Sequence, residues 1–420
     1  MLPDVAAGPR LQGAAGQFRV ANAAVEGLCI RPGRDVANAS PGGNAAATRT
    51  SGYRATARVI TTEISRHADY FRTLLAARPL PALLSRPVIS APMPLIAKSP
   101  YQPPFYLFNG HLQTIVPSLL RSVPEVAYQR ERLELPDGDF LNLDWSRRPD
   151  ARPTDGLVIV SHGLEGDASR PYMRGMVRAL NRAGFDALAW NYRSCGGEIN
   201  RLLRSYHLGD TDDLHLVLRH ALATGRYRRA YLVGFSAGGN VTLKYLGEDA
   251  DRVPAEVRRA AVFSVPTDLE ASSVHISRPQ NQVYLRRFLK SLRQKVRAKA
   301  ELLPGQVDLA GIEELRDFQE FDSRYTAPMH GFDSAAAYYQ SASSGRYLSG
   351  IRVPTLLVNA QNDPFLPASC FPREVASASP FVFLETPPEG GHVGFPEGAP
   401  DGEYYSERRA VAFFTAEVPA

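Results

Sequence analysis

The chain has 420 residues, 44% hydrophobic and 22% charged, with a net charge of +5. That composition suits a globular protein of one large or two ordinary domains, and no apolar run approaches the ~20 residues of a membrane span. Residues 1–92 hold eleven Arg, no Lys and five acids, a balance of +6, which leaves −1 for residues 93–420. The main body is therefore nearly neutral and carries no nucleic-acid footprint. Three cysteines, Cys29, Cys195 and Cys370, show no metal-ligand spacing and are too few for a disulfide framework, which places the expected location in the reducing cytoplasm.

Residues 1–92 are rich in Ala, Gly, Arg and Ser and lack sustained apolar periodicity. A disordered tail, an Arg-rich leader and a spurious extension ahead of a start at Met93 all fit; the segment is expected to be dispensable. From Met93 the composition changes. Asn109-Gly110-His111-Leu112-Gln113-Thr114 opens a short helix to about Leu120. Residues 128–135 alternate as a strand, Asp137-Gly138 is a hairpin turn, and residues 140–145 form the return strand.

Strands and helices then alternate. Residues 156–160 read as a buried strand, 172–183 as a helix stopped by Gly184, 186–191 as a strand and 210–223 as a helix. A strand from Tyr231 and a helix from Val241 follow, then strands at 259–266, 355–360 and 381–384, and a closing helix at 404–414. Repeated βα units predict a mostly parallel sheet covered by helices on both faces. The interruption from about Thr267 to Leu348 contains a long helix, 282–303, and is expected to lie over the strand C-termini as a helical lid.

Chemistry concentrates at Gly234-Phe235-Ser236-Ala237-Gly238. A Gly-x-Ser-x-Gly turn between a strand and a helix is the context of a nucleophile elbow, which lifts a serine hydroxyl above the sheet edge. His392, in the Gly-flanked loop Glu389-Gly390-Gly391-His392-Val393-Gly394, is the expected base. Asp363, at the end of a strand in Asn362-Asp363-Pro364, is the expected orienting acid. The chain order Ser236, Asp363, His392 agrees with a serine hydrolase of this topology. The amides of Leu164, in His162-Gly163-Leu164-Glu165-Gly166, and of Ala237 are the expected oxyanion hole. His162 is expected to buttress that loop and His111 to be structural.

Two clusters carry competing readings. Asp210-Thr211-Asp212-Asp213 reads as a helix cap or as metal ligands, and the cap is preferred. Arg286, Arg287, Lys290, Arg293, Lys295, Arg297 and Lys299 make the long helix basic. That is a solvated face or an attraction to anionic lipid surfaces, hence weak peripheral membrane contact. No cofactor and no metal are expected.

With these residues in hand, the chain resembles the YheT-like branch of the α/β-hydrolases, related to the abhydrolase-domain esterases of acylglycerols and phospholipids. The resemblance runs from about Met93 to the C-terminus. It rests on Pro103-Pro104, Asn109 to Thr114, His162 to Gly166, Gly234 to Asn240 with Lys244-Tyr245-Leu246-Gly247, Asp363-Pro364-Phe365 and Gly390 to Phe395. It implies the α/β-hydrolase fold, Ser236, Asp363 and His392 as charge-relay residues, and hydrolysis of small-molecule or lipid esters. The chain departs from the family in having Ala237 in place of the usual Leu, and Arg193-Ser194-Cys195-Gly196-Gly197-Glu198 in place of Arg-Gly-Cys-Ser-Gly-Glu. An amidase or peptidase would use the same triad, and a binding protein could keep the same fold.

Overall fold

The computed structural model of the chain describes residues 95, 96, 98–148, 154, 156–398 and 402–416. The expectations for residues 1–92 and the Met93 start fall outside them.

Short apolar runs such as Gly156–Ser161, every residue of which is buried, can be satisfied only inside a sheet covered on both faces. The strands are β1 (Leu95–Ile96), β2 (Gln129–Glu134), β3 (Phe140–Ser146), β4 (Gly156–Ser161), β5 (Asp186–Asn191), β6 (Arg229–Phe235), β7 (Val257–Phe263), β8 (Thr355–Val358) and β9 (Val382–Glu385). They form one sheet in the order β1-β9-β8-β7-β6-β4-β5-β3-β2. Only β2 with β3 and β3 with β5 run antiparallel. β1 is too short to announce itself in the sequence; it adds in parallel to β9 at the sheet's far edge.

Alternation along each strand builds two cores. Leu157 and Ile159 of β4 and Leu232 of β6 join one cluster, while Val158 and Val160 of β4 and Val233 of β6 join the other. Helices α3 (Thr211–Ala223) and α4 (Ala237–Glu248) cover the first face, with Leu214, Leu218, Leu243 and Leu246 in its core. Helices α2 (Pro171–Arg182) and α8 (Tyr405–Thr415) cover the second, through Met173, Met176, Leu180, Tyr405 and Phe414. Helix α1 (Gly110–Leu120) precedes the sheet's hairpin and is capped by the Asn109 side chain, which accepts from the Leu112 amide at 2.9 Å.

Between β7 and β8 the chain contains no strand among the described residues. It forms α5 (Leu269–Ile276), the 21-residue α6 (Gln282–Leu302), a short helical run over 318–329 and α7 (Ala335–Ala342). On α6, Leu285, Leu289, Val296 and Lys299 are buried at spacings of three to seven residues, the inward stripe of an amphipathic helix. Leu285, Leu289 and Val296 pack with Ile312, Phe321 and Tyr325 in a separate apolar cluster.

Two sequence expectations are corrected here. Asp210 stands at the N-terminus of α3 but its side chain makes no capping bond. Instead Asp210 accepts from Arg204 at 2.8 Å, and Asp213 takes a bidentate grip from Arg193 at 2.7 Å. A guanidinium needs two carboxylate oxygens in its plane, and buried Arg193 recruits Asp213 for that purpose. The basic face of α6 is also not uniformly solvated. Arg286, Arg287 and Lys290 are exposed, but Lys295 and Lys299 turn inward. Lys299 donates to the carbonyls of Asn200 and Leu202, and burial pushes its ammonium down to about 8. A lysine stem spans enough apolar surface to follow the buried stripe while its head finds partners.

Candidate active site

The strand order reverses beside β4, which has β5 on one side and β6 on the other. At such a switch point the loops leaving adjacent strand ends diverge and open a crevice. Ser236 leaves β6 there, and Gly163 and Leu164 leave β4.

The Ser236 turn is made by backbone contact. Ser236 has φ 52° and ψ −117°, a region that L-residues avoid. A Cβ on Gly234 would stand 2.5 Å from the Gly238 carbonyl oxygen, and one on Gly238 would stand 2.6 Å from that of His162. Glycine is required at both positions because strand and helix backbones touch. The Ser236 amide donates to the Phe263 carbonyl at 2.9 Å, tying the elbow to β7.

His392 Nε2 lies 2.9 Å from Ser236 Oγ. Its Nδ1 lies 2.9 Å from Asp363 Oδ2 and 3.1 Å from Oδ1. The Asp363 side chain is fully buried and also accepts from the Phe365 amide at 2.8 Å. Phe365 packs over the imidazole with ring centroids 4.0 Å apart. A carboxylate at Nδ1 holds that nitrogen protonated and leaves Nε2 free to accept from the serine.

Leu164, Ser236, Ala237 and His392 line one cavity. In the β4 loop, the Gly163 amide donates to Tyr172 Oη and the Glu165 amide to Tyr206 Oη, both at 3.0 Å. The Leu164 amide between them has no partner among the described residues, and Ala237 opens α4, where first-turn amides have no intrahelical acceptor. His162 is fully buried, accepts from the Tyr192 amide at 3.3 Å and donates through Nδ1 to the Gly163 carbonyl at 2.8 Å. Burial pushes its imidazole down to about 4, so it stays neutral beneath the β4 loop. His111 lies on α1 and pairs with Tyr284 Oη at 3.1 Å, apart from Ser236.

Glu165 adopts φ 55° and ties this loop to α6. It takes Lys295 Nζ at 2.8 Å, Tyr206 Oη at 2.8 Å and the Ser291 hydroxyl. Burial raises its carboxyl, but the Lys295 charge and these donors outweigh burial and hold it below the usual range. Lys295 also donates to Cys195 Sγ at 3.0 Å. The cavity wall beyond Ser236 is apolar, with Leu269 and Ile276 from α5, Phe288 and Leu292 from α6, and Phe321 and Tyr325 after it.

Sequence reasoning missed Gln113 and Thr114 on α1, Ser264 after β7, and the Glu165–Lys295 tie. Thr114 Oγ1 accepts from the His392 amide and Ser264 Oγ from the Val393 amide, both at 2.8 Å. A signal existed for the first two: Gly110, Gln113, Thr114 and Pro117 are the buried residues of α1, so polar side chains occupy its inward stripe. The acids at 210–213 are committed to arginines: Asp212 pairs with Arg252 as Asp210 and Asp213 do with Arg204 and Arg193. No group able to hold a metal ion occurs among the described residues, and no helix there is long and apolar enough to cross a membrane.

A family model described as alpha/beta hydrolase fold matches residues 156–399. Among curated proteins, the chain is 36% identical over 289 residues to YheT of Escherichia coli, covering 68% of this chain and 84% of that protein. It is 30% identical over 307 residues to the phospholipase ABHD3 of Mus musculus, covering 71% and 74% respectively. It is 30% identical over 280 residues to the monoacylglycerol lipase of Saccharomyces cerevisiae, covering 65% and 60%. With the elbow, the sheet order and these matches together, the chain belongs to the α/β-hydrolase family, in the branch that contains YheT.

Proposed function

We propose that the chain is a serine hydrolase that cleaves carboxylic esters through an acyl-enzyme on Ser236. The observation that carries this reading is the hydrogen-bonded series Ser236 Oγ, His392 Nε2, His392 Nδ1 and Asp363 Oδ2, with 2.9 Å at each step, opening onto an apolar cavity. His392 removes the hydroxyl proton as Oγ attacks the ester carbonyl. The amides of Leu164 and Ala237 hold the developing oxyanion, where fixed dipoles stabilise charge without reorganising. The tetrahedral adduct expels the alcohol, which takes its proton from His392. Water, deprotonated by the same nitrogen, then releases the carboxylic acid. No metal or cofactor enters these steps.

The substrate reading is a small-molecule or lipid ester, either acylglycerol- or phospholipid-like or of short to medium chain. An apolar wall favours an acyl chain, and relatives named a phospholipase and a monoacylglycerol lipase support a lipid ester. Residues 267–348 serve as the lid: they carry α5 and α6, whose side chains form that wall. The test is hydrolysis of a chain-length series of nitrophenyl and glycerol esters by the wild type and Ser236→Ala. A loss on the order of 10⁶-fold in kcat is expected for the variant, with its melting temperature retained. Undiminished hydrolysis by folded Ser236→Ala contradicts the proposal.

A further inference from the structure

Helix α1 lies before the span matched by the family model and contributes no side chain to the wall around Ser236. Its inward face is nevertheless polar and meets both loops that carry the acid and the base. Gln113 is fully buried, and its Oε1 accepts from Asn362 Nδ2 at 2.9 Å and from the Gly390 amide at 2.8 Å. One acceptor atom thus joins the residue before Asp363 to the residue two before His392. The Gln113 amide group is fixed in turn, donating to the Leu107 carbonyl at 2.6 Å and to Glu389 Oε1 at 3.2 Å. Thr114 Oγ1 donates to the Gly110 carbonyl at 2.6 Å and accepts from the His392 amide at 2.8 Å. Asn362 Oδ1 accepts from the Gly391 amide at 3.0 Å, so the two loops are also bonded to each other.

The backbones are equally close. A Cβ on Gly110 would overlap the Asn362 carbonyl, and one on Gly394 would overlap the Gln113 carbonyl. The His392 loop needs such holding. Val393 and Phe395 have φ values of 60° and 40°, in the left-handed region that non-glycine residues avoid. Without external partners the loop has every reason to relax, and the imidazole would move with it.

We propose that Gln113 and Thr114 are positioning residues of the ester-hydrolysing site, fixing the Asp363 loop and the His392 loop in one geometry from outside the βα core. The proposal rests on the reading of Ser236, Asp363 and His392 as the reacting set. Thr114 acts through the His392 backbone and Gln113 through both loops, so neither touches substrate. Their removal displaces a group that must act within hydrogen-bond reach, and displacements of about 1 Å cost on the order of 10²-fold in rate.

The experiment uses the full chain and an activated nitrophenyl ester, with Thr114→Val, Thr114→Ser, Gln113→Met, His392→Ala and the double variant Thr114→Val/His392→Ala. Thr114→Val keeps the side-chain shape and removes the acceptor; Thr114→Ser keeps the acceptor. The expected result is a kcat about 10²-fold lower for Thr114→Val, with KM within about twofold, and recovery in Thr114→Ser. In the His392→Ala background Thr114→Val should cost nothing further, because residues that act as a unit are not additive. Gln113→Met should show the same split between kcat and KM, and supplies the result if Thr114→Val does not fold. Wild-type kcat in folded Thr114→Val or Gln113→Met, or the same fold-loss with and without His392, overturns the proposal while the triad stands. Wild-type activity in His392→Ala overturns the triad reading and this proposal with it.

Discussion

Ser236 stands on a turn shaped by backbone: glycines at 234 and 238, a positive φ at the serine, and an amide bonded to β7. Asp363 and His392 stand on loops shaped by side chains that arrive from far away in sequence, Gln113 and Thr114 from α1 and Ser264 from the end of β7. The difference is one of where the positioning information lies. A backbone-built turn is written in five residues packed against the ends of β4 and β7, and cannot drift without melting the strand–helix junction. A side-chain-built loop depends on contacts more than a hundred residues away, so it can be detuned in small steps while the fold survives.

That contrast gives graded expectations. Asp363→Asn keeps the size of the group at Nδ1 but reverses the tautomer it selects, so kcat should fall on the order of 10⁴-fold. Circular dichroism and melting should stay near wild type, because the loop keeps its Gln113 and Asn362 bonds. A loss under about tenfold would mean that another acid orients His392. The α1 variants come next, at about 10²-fold in kcat, and their cooperative unfolding should be retained if the loops alone are displaced.

The third expectation concerns the β4 loop proposed to hold the oxyanion, where backbone and side-chain control meet. Lys295→Met leaves Glu165 buried without its cation, and breaking a buried pair costs roughly 3–5 kcal/mol. The effect depends on pH with a fixed sign. The Glu165 carboxyl is held below its usual range, by Lys295 and its hydrogen-bond donors against the opposing effect of burial. The stability this contributes is complete above the unfolded carboxylate value of ~4.3 and is lost as pH falls through the folded value. The melting-temperature gap between wild type and Lys295→Met should therefore be wide at neutral pH and narrow progressively as pH falls below the unfolded carboxylate value of ~4.3. A gap that is constant across that range would show that the lysine contributes packing alone.

The parts of the molecule legible in the sequence are those whose causes are local. Strand periodicity, the Gly-x-Ser-x-Gly turn and the Gly-rich loop around His392 each announce themselves within ten residues, and the parallel sheet follows from their alternation. The role assigned to the acids at 210–213 was wrong in its partner, since arginines 204 and 193 come from a loop whose path no local pattern reveals. The inward turn of Lys295 and Lys299 is likewise set by tertiary partners, the Glu165 carboxylate and the carbonyls of residues 200 and 202. Gln113 and Thr114 were visible as letters in a motif but not as partners of loops some 250–280 positions away. Among the described strands β1, at two residues, is the one with no sequence signal of its own.

The central claim is that Ser236 carries the acyl group. Incubating the full chain with a fluorophosphonate, then digesting and sequencing the labelled peptide by mass spectrometry, tests it most directly. The account predicts a single phosphonyl adduct on Ser236 that forms in step with loss of esterase activity and is absent from Ser236→Ala. Complete inactivation with the adduct on another residue, or esterase activity that survives full labelling of Ser236, would contradict it.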